Sequence, residues 1–133
     1  MLLRLDFKSE VPIYLQLRNQ ILLGIGRGDL QPGEHLPAVR QLAQDAGINP
    51  MTVSKAYALL KSEGFLDVDR RRGAVVNPPR SEPAAAEKLE TRLELTVSEA
   101  GLRGVSEREF LDVCRQVYAR MKGLNRSVRQ GEE

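Results

Sequence analysis

The sequence predicts a mostly α-helical protein with one short β-hairpin, and three observations lead to this prediction. The composition is 41% hydrophobic but only 5% aromatic, without Trp, which favours aliphatic helix packing over a β-sandwich. Apolar residues recur at helical spacing in several segments of the chain. Two short β-prone segments flank the arginine run 70–72. At 133 residues, the chain suits one small domain with an appendage.

The first predicted helix covers about Pro12–Arg27. Its apolar stripe repeats every fourth residue, at Ile13, Leu17, Ile21 and Ile25. Proline is tolerated in a first helical turn, and Ser9 is the expected N-cap. The turn cluster 28–33 ends the helix, and a short extended piece at His35 and Leu36 follows it. We interpret His35, the only histidine, as a structural or surface residue.

Two further helices are predicted to meet at Gly47. The second helix begins near Ala38 and ends at Gly47, because glycine accepts the positive φ that a tight turn needs. Asn49 and Pro50 open the third helix, since Asn is a preferred N-cap and Pro is favoured at the first helical position. This helix ends near Glu63. The pattern is typical of a helix-turn-helix, and an ordinary helical hairpin is the alternative.

Two short strands, about Phe65–Asp69 and Gly73–Asn77, are predicted after the third helix. A β-hairpin that follows a helix-turn-helix makes a winged helix, so we assign residues 1–77 to a winged helix-turn-helix DNA-binding domain. The proline-rich segment 78–83 cannot continue a strand and is expected to be an extended linker.

Residues 84–122 are predicted to form two amphipathic helices, about Ala84–Ala100 and Glu107–Lys122, the second opened by a capping box at Ser106. A lone helix pair buries its apolar stripes poorly, so it must pack on the winged helix or on its counterpart in a second chain. The proline-rich linker favours the second arrangement, and we therefore expect a homodimer. The expected dimer contacts are the stripe residues Leu89, Leu93, Val97, Phe110, Cys114, Val117 and Met121. Residues 123–133 are expected to be a flexible tail.

The first turns of a recognition helix carry most of the contacts to base edges. Here they contain Asn49, Pro50, Met51, Thr52, Ser54 and Lys55. Thr52 and Ser54 can bond phosphate or a base edge, Lys55 can neutralise phosphate, and Met51 can touch a thymine methyl group. Arg40 is expected to point outward and to offer a bidentate fork to guanine. All of these residues also fit a simply solvated helix surface.

The run Arg70, Arg71 and Arg72 lies at the predicted tip of the hairpin. Such a run is often only a solvated charge cluster, but beside a helix-turn-helix it suits contact with phosphate or the minor groove. Asp67 and Asp69 precede the run. They either temper its positive field or pair with the arginines in the absence of DNA.

Composition excludes several other classes of protein. The formal net charge is +2, with 11 Lys and Arg against 8 Asp and Glu in residues 1–80, so strong nonspecific DNA binding by a monomer is not expected.

Cys114 is the only cysteine and is expected to be a buried small hydrophobe, without a disulfide or zinc site. No cofactor, metal site, membrane span or signal peptide is predicted, and we expect a cytoplasmic protein. One His and one Cys far apart in sequence form no convincing catalytic pair, so an enzyme is disfavoured.

Four segments carry a resemblance to a known family: Pro12–Leu17, Leu30–Ala43, Gly47–Tyr57 and Leu60–Leu66. They resemble the GntR family of bacterial transcription regulators, and the short C-terminal region resembles its YtrA-like subfamily. The resemblance implies a homodimeric repressor on a pseudo-palindromic operator, with DNA contacts at Arg40, at 49–55 and in the wing. The subfamily is often linked to control of membrane-transporter genes, and the effector is unknown. A winged-helix protein–protein scaffold without specific DNA binding is the alternative function.

Two positions depart from the family pattern. Ala38 replaces the serine that usually starts the second helix, which removes a cap. Arg71 stands where a wing glycine often lies close to the minor groove. We therefore expect the wing to act through charge rather than through close insertion.

Overall fold

The computed structural model describes residues 3–124, which divide into two compact units: residues 3–79 with 122–124, and Arg80–Met121. The described helices are α1 (Ile13–Arg27), α2 (Val39–Ala46), α3 (Pro50–Ser62), α4 (Ala85–Leu102) and α5 (Glu107–Arg120). The strands β1 (Leu66–Asp69) and β2 (Gly73–Val76) form an antiparallel hairpin. The fold is therefore mostly α, with a hairpin after the third helix, as predicted. Most of the predicted tail, 125–133, lies outside the described residues.

Two of the helices, α3 and α5, begin with a side-chain cap, whereas α1, α2 and α4 do not. The side chain of Asn49 accepts a hydrogen bond from the Met51 N–H at 2.8 Å, and Ser106 accepts one from the Glu109 N–H at 3.1 Å. The predicted Ser9 cap of α1 is wrong, since Ser9 Oγ accepts from the Val11 N–H inside the preceding loop. The N-cap of α1 is Pro12, which has no side-chain hydrogen bond to the helix.

The core of the first unit lies between α1, α2, α3 and the hairpin. Its side chains are aliphatic, as the composition predicts, and several are fully inaccessible to solvent: Leu17, Ile21, Val53, Ala56 and Leu60. At the edge of this core, the guanidinium group of Arg18 on α1 forms two hydrogen bonds with the carboxylate of Glu63 at the end of α3. These contacts fix α3 against α1.

The hairpin pairs with a third extended segment. β1 and β2 run in register from Leu66 opposite Val76 to Asp69 opposite Gly73. On the other edge of β2, the Leu36 N–H donates to the Ala74 carbonyl at 2.8 Å. The extended piece predicted at His35 and Leu36 is therefore confirmed, and it attaches the hairpin to the segment that leads into α2.

The second unit consists of α4 and α5, which contact each other. Neither helix contains a buried residue, and several apolar side chains are largely exposed, including Leu95 at 65% and Leu102 at 90%. Of the residues expected to form a dimer, Leu89 and Val97 are exposed, and Leu93, Phe110, Cys114, Val117 and Met121 are half-buried. Within residues 3–124, no helix is both long and apolar enough to cross a membrane.

Candidate nucleic-acid interface

The turn between α2 and α3 brings the two helices into contact. Gly47 has φ 68° and ψ 38°, the left-handed conformation expected there, and it ends α2. The Ile48 N–H bonds back to the Ala43 carbonyl at 2.9 Å. Ala43 is buried, so its small side chain lets the two helix backbones approach each other. The predicted helix-turn-helix is present.

A buried tyrosine holds the start of α2. The Tyr57 hydroxyl on α3 donates to the Pro37 carbonyl at 2.7 Å. Burial raises the pKa of Tyr57 to about 12. Ala38, the N-cap of α2, supplies no side-chain cap, so the Tyr57 contact restrains the backbone just before the uncapped end. The bond of the Tyr57 hydroxyl was not predicted from the sequence, although a buried tyrosine hydroxyl usually has a partner.

Arg40 is exposed in the first turn of α2. Its neighbours fix this orientation, because Val39 packs against the core and Leu42 is 4% exposed. The alternation along the helix predicted this outward orientation. An arginine there can present its planar guanidinium group to a base pair.

The first turn of α3 presents a mixed surface. Met51 is 78% exposed, and Pro50 and Ser54 are exposed, whereas Thr52 is half-buried. The side-chain oxygen of Asn49 serves as the helix cap. The residues predicted to meet DNA in this turn therefore lie on the solvent side of α3, with Thr52 only partly accessible.

Lys55 does not extend freely into solvent. Its Nζ lies 4.0 Å from the centre of the Tyr14 ring on α1, which is cation–π geometry. This contact between Lys55 and Tyr14 was not predicted from the sequence. The charge of Lys55 is consequently held beside α1 in the free protein.

The tip of the wing carries three exposed arginines, Arg70, Arg71 and Arg72. Asp69 Oδ1 accepts hydrogen bonds from the backbone N–H groups of Arg71, at 2.8 Å, and of Arg72. Across the structured chain, residues 3–124, neither Asp67 nor Asp69 forms an ion pair with these arginines. The alternative that the carboxylates pair with the guanidinium groups is therefore wrong for Asp69, which caps the turn.

His35 reaches the same turn from outside the hairpin. Its Nδ1 lies 3.0 Å from the Arg72 carbonyl oxygen. A carbonyl oxygen only accepts, so His35 Nδ1 must carry the donated proton. Neither the contact of His35 nor that of Asp69 with this turn was predicted from the sequence. The aspartate could have been found from its place two and three residues before the amide groups that it caps.

A groove of about 640 Å³ opens to solvent beside the N-terminal segment of the first unit. Leu3, Leu5, Phe7, Leu30 and Leu42 supply its apolar lining. Phe7 at its rim is 66% exposed, so the groove does not enclose a small molecule as a typical ligand pocket does. The described residues contain no group of three or more His, Cys, Asp or Glu that could hold a metal ion.

Comparison with known proteins agrees with this geometry. The family model described as "Bacterial regulatory proteins, gntR family" matches residues 11–76. The HTH-type transcriptional repressor YtrA of Bacillus subtilis is 30% identical over 125 residues, which cover 92% of this chain and 96% of YtrA. The chain belongs to the GntR family. GntR-family proteins are DNA-binding transcription regulators and not enzymes.

Two solved structures extend the GntR comparison. YtrA from Sulfolobus acidocaldarius, a GntR-family transcription factor, superposes with a TM-score of 0.62 at 37% identity, covering 74% of this chain and 99% of that one. The AraR DNA-binding domain, solved in complex with its operator ORX1, superposes with a TM-score of 0.52 at 27% identity. It covers 57% of this chain and 98% of its own. This GntR-family chain therefore resembles both a YtrA-type regulator and a domain that has been observed on DNA.

Proposed function

We propose that this GntR-family regulator is a homodimeric repressor that binds a pseudo-palindromic operator. Arg40 and the first turn of α3, residues 49–55, read the major groove, and Arg70–Arg72 contact the phosphate backbone or the minor groove. The observation that carries the proposal is the division of α2 and α3 into two faces. One face fills the core, and the other presents a polar, arginine-bearing surface to solvent.

The charge distribution supports a wing that anchors rather than reads. Three adjacent arginines have exposed side chains, and the nearest carboxylate, Asp69, is engaged by backbone amides. Charges of this kind neutralise phosphates at any sequence, whereas Arg40 offers directed hydrogen bonds to a base pair. We therefore assign sequence preference to Arg40 and α3, and general affinity to the wing.

The exposed apolar stripes of α4 and α5 support a dimer. Leu89 and Val97 are 57% and 47% exposed in a single chain, and a second copy would cover them. A two-fold dimer would direct two recognition helices to two half-sites about one helical turn of DNA, roughly 34–36 Å, apart. It would also double the number of phosphate contacts, which compensates for the small net charge of each chain.

The proposal of repression rests on the relatives, and that of the target genes on the subfamily resemblance. YtrA of Bacillus subtilis is described as a repressor, and it matches almost the whole chain. The resemblance to the YtrA-like subfamily extends the proposal to transporter genes as targets. An operator that overlaps a promoter, together with reduced transcription from that promoter when the protein is added in vitro, would support repression.

The direct test is recovery of genomic fragments by the full-length protein, followed by affinity measurements on the enriched site from about 50 to 200 mM salt. We expect one pseudo-palindromic motif and a steep fall of affinity with salt. Arg27→Ala removes an exposed arginine from the last turn of α1, outside the proposed interface. It is the control for the loss of one positive charge and should bind as the wild type does. Enrichment of no motif would favour the scaffold function, and a stable monomer at micromolar concentration in sedimentation would contradict the dimer.

A further inference from the structure

The wing tip extends beyond the paired part of the hairpin. The last strand pair joins Asp69 to Gly73, so residues 70–72 have no partner strand. The backbone bonds that attach β2 to the rest of the unit run from Val76, which pairs with Gly33 and Glu34, to Ala74, which pairs with Leu36. Among the described residues, no backbone bond joins residues 70–72 to the rest of the unit, so the contacts that reach the tip itself come from side chains.

Two side chains hold the backbone of Arg72 from opposite sides. The Asp69 carboxylate accepts its N–H, and His35 Nδ1 donates to its carbonyl oxygen at 3.0 Å. Asp69 belongs to the hairpin and moves with it, so its contact shapes the turn only locally. His35 is 37 residues away in sequence and precedes α2, which carries Arg40. Of these two contacts, only that of His35 ties the tip to the body of the unit.

We propose that His35 is a positioning residue that sets the place of the wing arginines relative to Arg40 and α3. This role rests on the proposed DNA-binding function and refines it. His35 acts through the Arg72 carbonyl and needs no contact with DNA itself. Its loss lets the tip move, so the arginines must be ordered again when DNA binds, at a cost in conformational entropy. Sequence preference, which Arg40 and α3 supply, stays as it was.

Two substitutions separate the hydrogen bond from the bulk of the ring. His35→Leu removes the donor, whereas His35→Asn keeps an N–H group attached to Cγ, where Nδ1 stands. We expect His35→Leu to weaken operator binding by about threefold to tenfold, the size of one modest hydrogen bond, with an unchanged base preference. His35→Asn should bind within about twofold of the wild type. Thermal unfolding of each variant shows that the fold is intact.

The decisive readout is whether the loss depends on the wing arginines. Each His35 variant is measured in the wild-type chain and in a chain that carries Arg70→Ala, Arg71→Ala and Arg72→Ala. A residue that acts through the wing loses its effect once those side chains are gone, which a double-mutant cycle detects as non-additivity. We therefore expect His35→Leu to have no further effect in the arginine-free background. Equal losses in both backgrounds, or failure of His35→Asn to restore binding, would overturn the role.

A measurement on the free protein keeps this proposal distinct from the DNA-binding proposal. Nitrogen-15 NMR of the histidine ring should show the proton on Nδ1, since only that form can donate to the Arg72 carbonyl. Detection of the proton on Nε2 alone would show that His35 does not donate to the Arg72 carbonyl, and would overturn its role directly. If this hydrogen bond is present but the wild type shows no salt-dependent operator binding, the proposed function is overturned. Binding with equal losses in both backgrounds would overturn only the role of His35.

Discussion

The two units of the chain differ in where their apolar side chains lie. In the first unit, α1 and α3 place residues such as Leu17, Ile21 and Leu60 out of reach of solvent. In the second unit, α4 and α5 have similar apolar stripes but bury no residue. Helical periodicity therefore identifies a face that needs cover, whereas tertiary structure decides whether the same chain supplies that cover. The first unit buries its apolar faces within one chain, whereas the apolar faces of α4 and α5 stay accessible to solvent.

The largest effect is expected from a charge placed on the exposed apolar stripe of α4. Val97→Asp should prevent assembly, because two-fold symmetry would bury an unpaired carboxylate twice, at a cost on the order of several kcal/mol. The single chain should tolerate the change, since Val97 is 47% exposed in it. Sedimentation velocity at micromolar concentration measures the effect.

Ser98→Asp provides the matched control, because it adds the same charge at the adjacent, exposed position of α4. It should remain dimeric. If Val97→Asp and Ser98→Asp assemble equally well, the apolar stripe of α4 is not an interface and the contrast between the units needs another explanation.

A core truncation in the first unit comes next in size. Leu60→Ala should destabilise the winged helix by about 2–5 kcal/mol, because it leaves a cavity at a site with no exposed surface. Leu102→Ala, at 90% exposure in α4, should change stability by no more than about 0.5 kcal/mol. Urea unfolding followed by circular dichroism compares the two variants, and similar losses from both would contradict the contrast between the two units.

A smaller effect is expected from the hydroxyl of Tyr57. Tyr57→Phe removes the bond to the Pro37 carbonyl and should cost about 0.5–1.5 kcal/mol at neutral pH. The folded-state pKa is raised from 10.0 to about 12, so the native state favours the neutral phenol. The stabilisation is fully present below pH 10 and is lost as the pH rises toward 12.

Unfolding measured across this range should show that Tyr57→Phe is less sensitive to alkali than the wild type. A wild type and a variant that lose stability in parallel between pH 10 and 12 would show that Tyr57 does not carry this dependence.

Local rules were enough to predict the elements, and most of the contacts that were missed join residues distant in sequence. The start of α3 at Asn49 and Pro50 and the left-handed turn at Gly47 follow from the preferences of single residues, and both are present. The bonds from Tyr57 to Pro37 and from His35 to Arg72 join residues 20 and 37 positions apart. Their partners are backbone carbonyls, and because every residue has one, the sequence does not show which of them accepts the bond. Ser9 does not cap α1, because its Oγ accepts a hydrogen bond from the Val11 N–H in the preceding loop instead.

The residues proposed to contact DNA show the same limit. The outward position of Arg40 followed from the alternation with its apolar neighbours, and exposure of the wing arginines followed from their place at a hairpin tip. The position of Lys55 over the Tyr14 ring did not follow, because it depends on how α1 crosses α3. Which of these side chains read bases stays a prediction that DNA-binding measurements must test.

The most direct test of the account is the base preference of Arg40→Ala compared with Arg71→Ala, measured by quantitative binding to a library of operator variants at several salt concentrations. We predict that Arg40→Ala loses about 1–3 kcal/mol of discrimination at one position in each half-site. Arg71→Ala should retain every base preference, bind more weakly to all sequences and reduce the salt slope by about two, roughly one for each chain of the dimer. Equal loss of base preference in both variants, or in neither, would contradict the division between a reading helix pair and an anchoring wing.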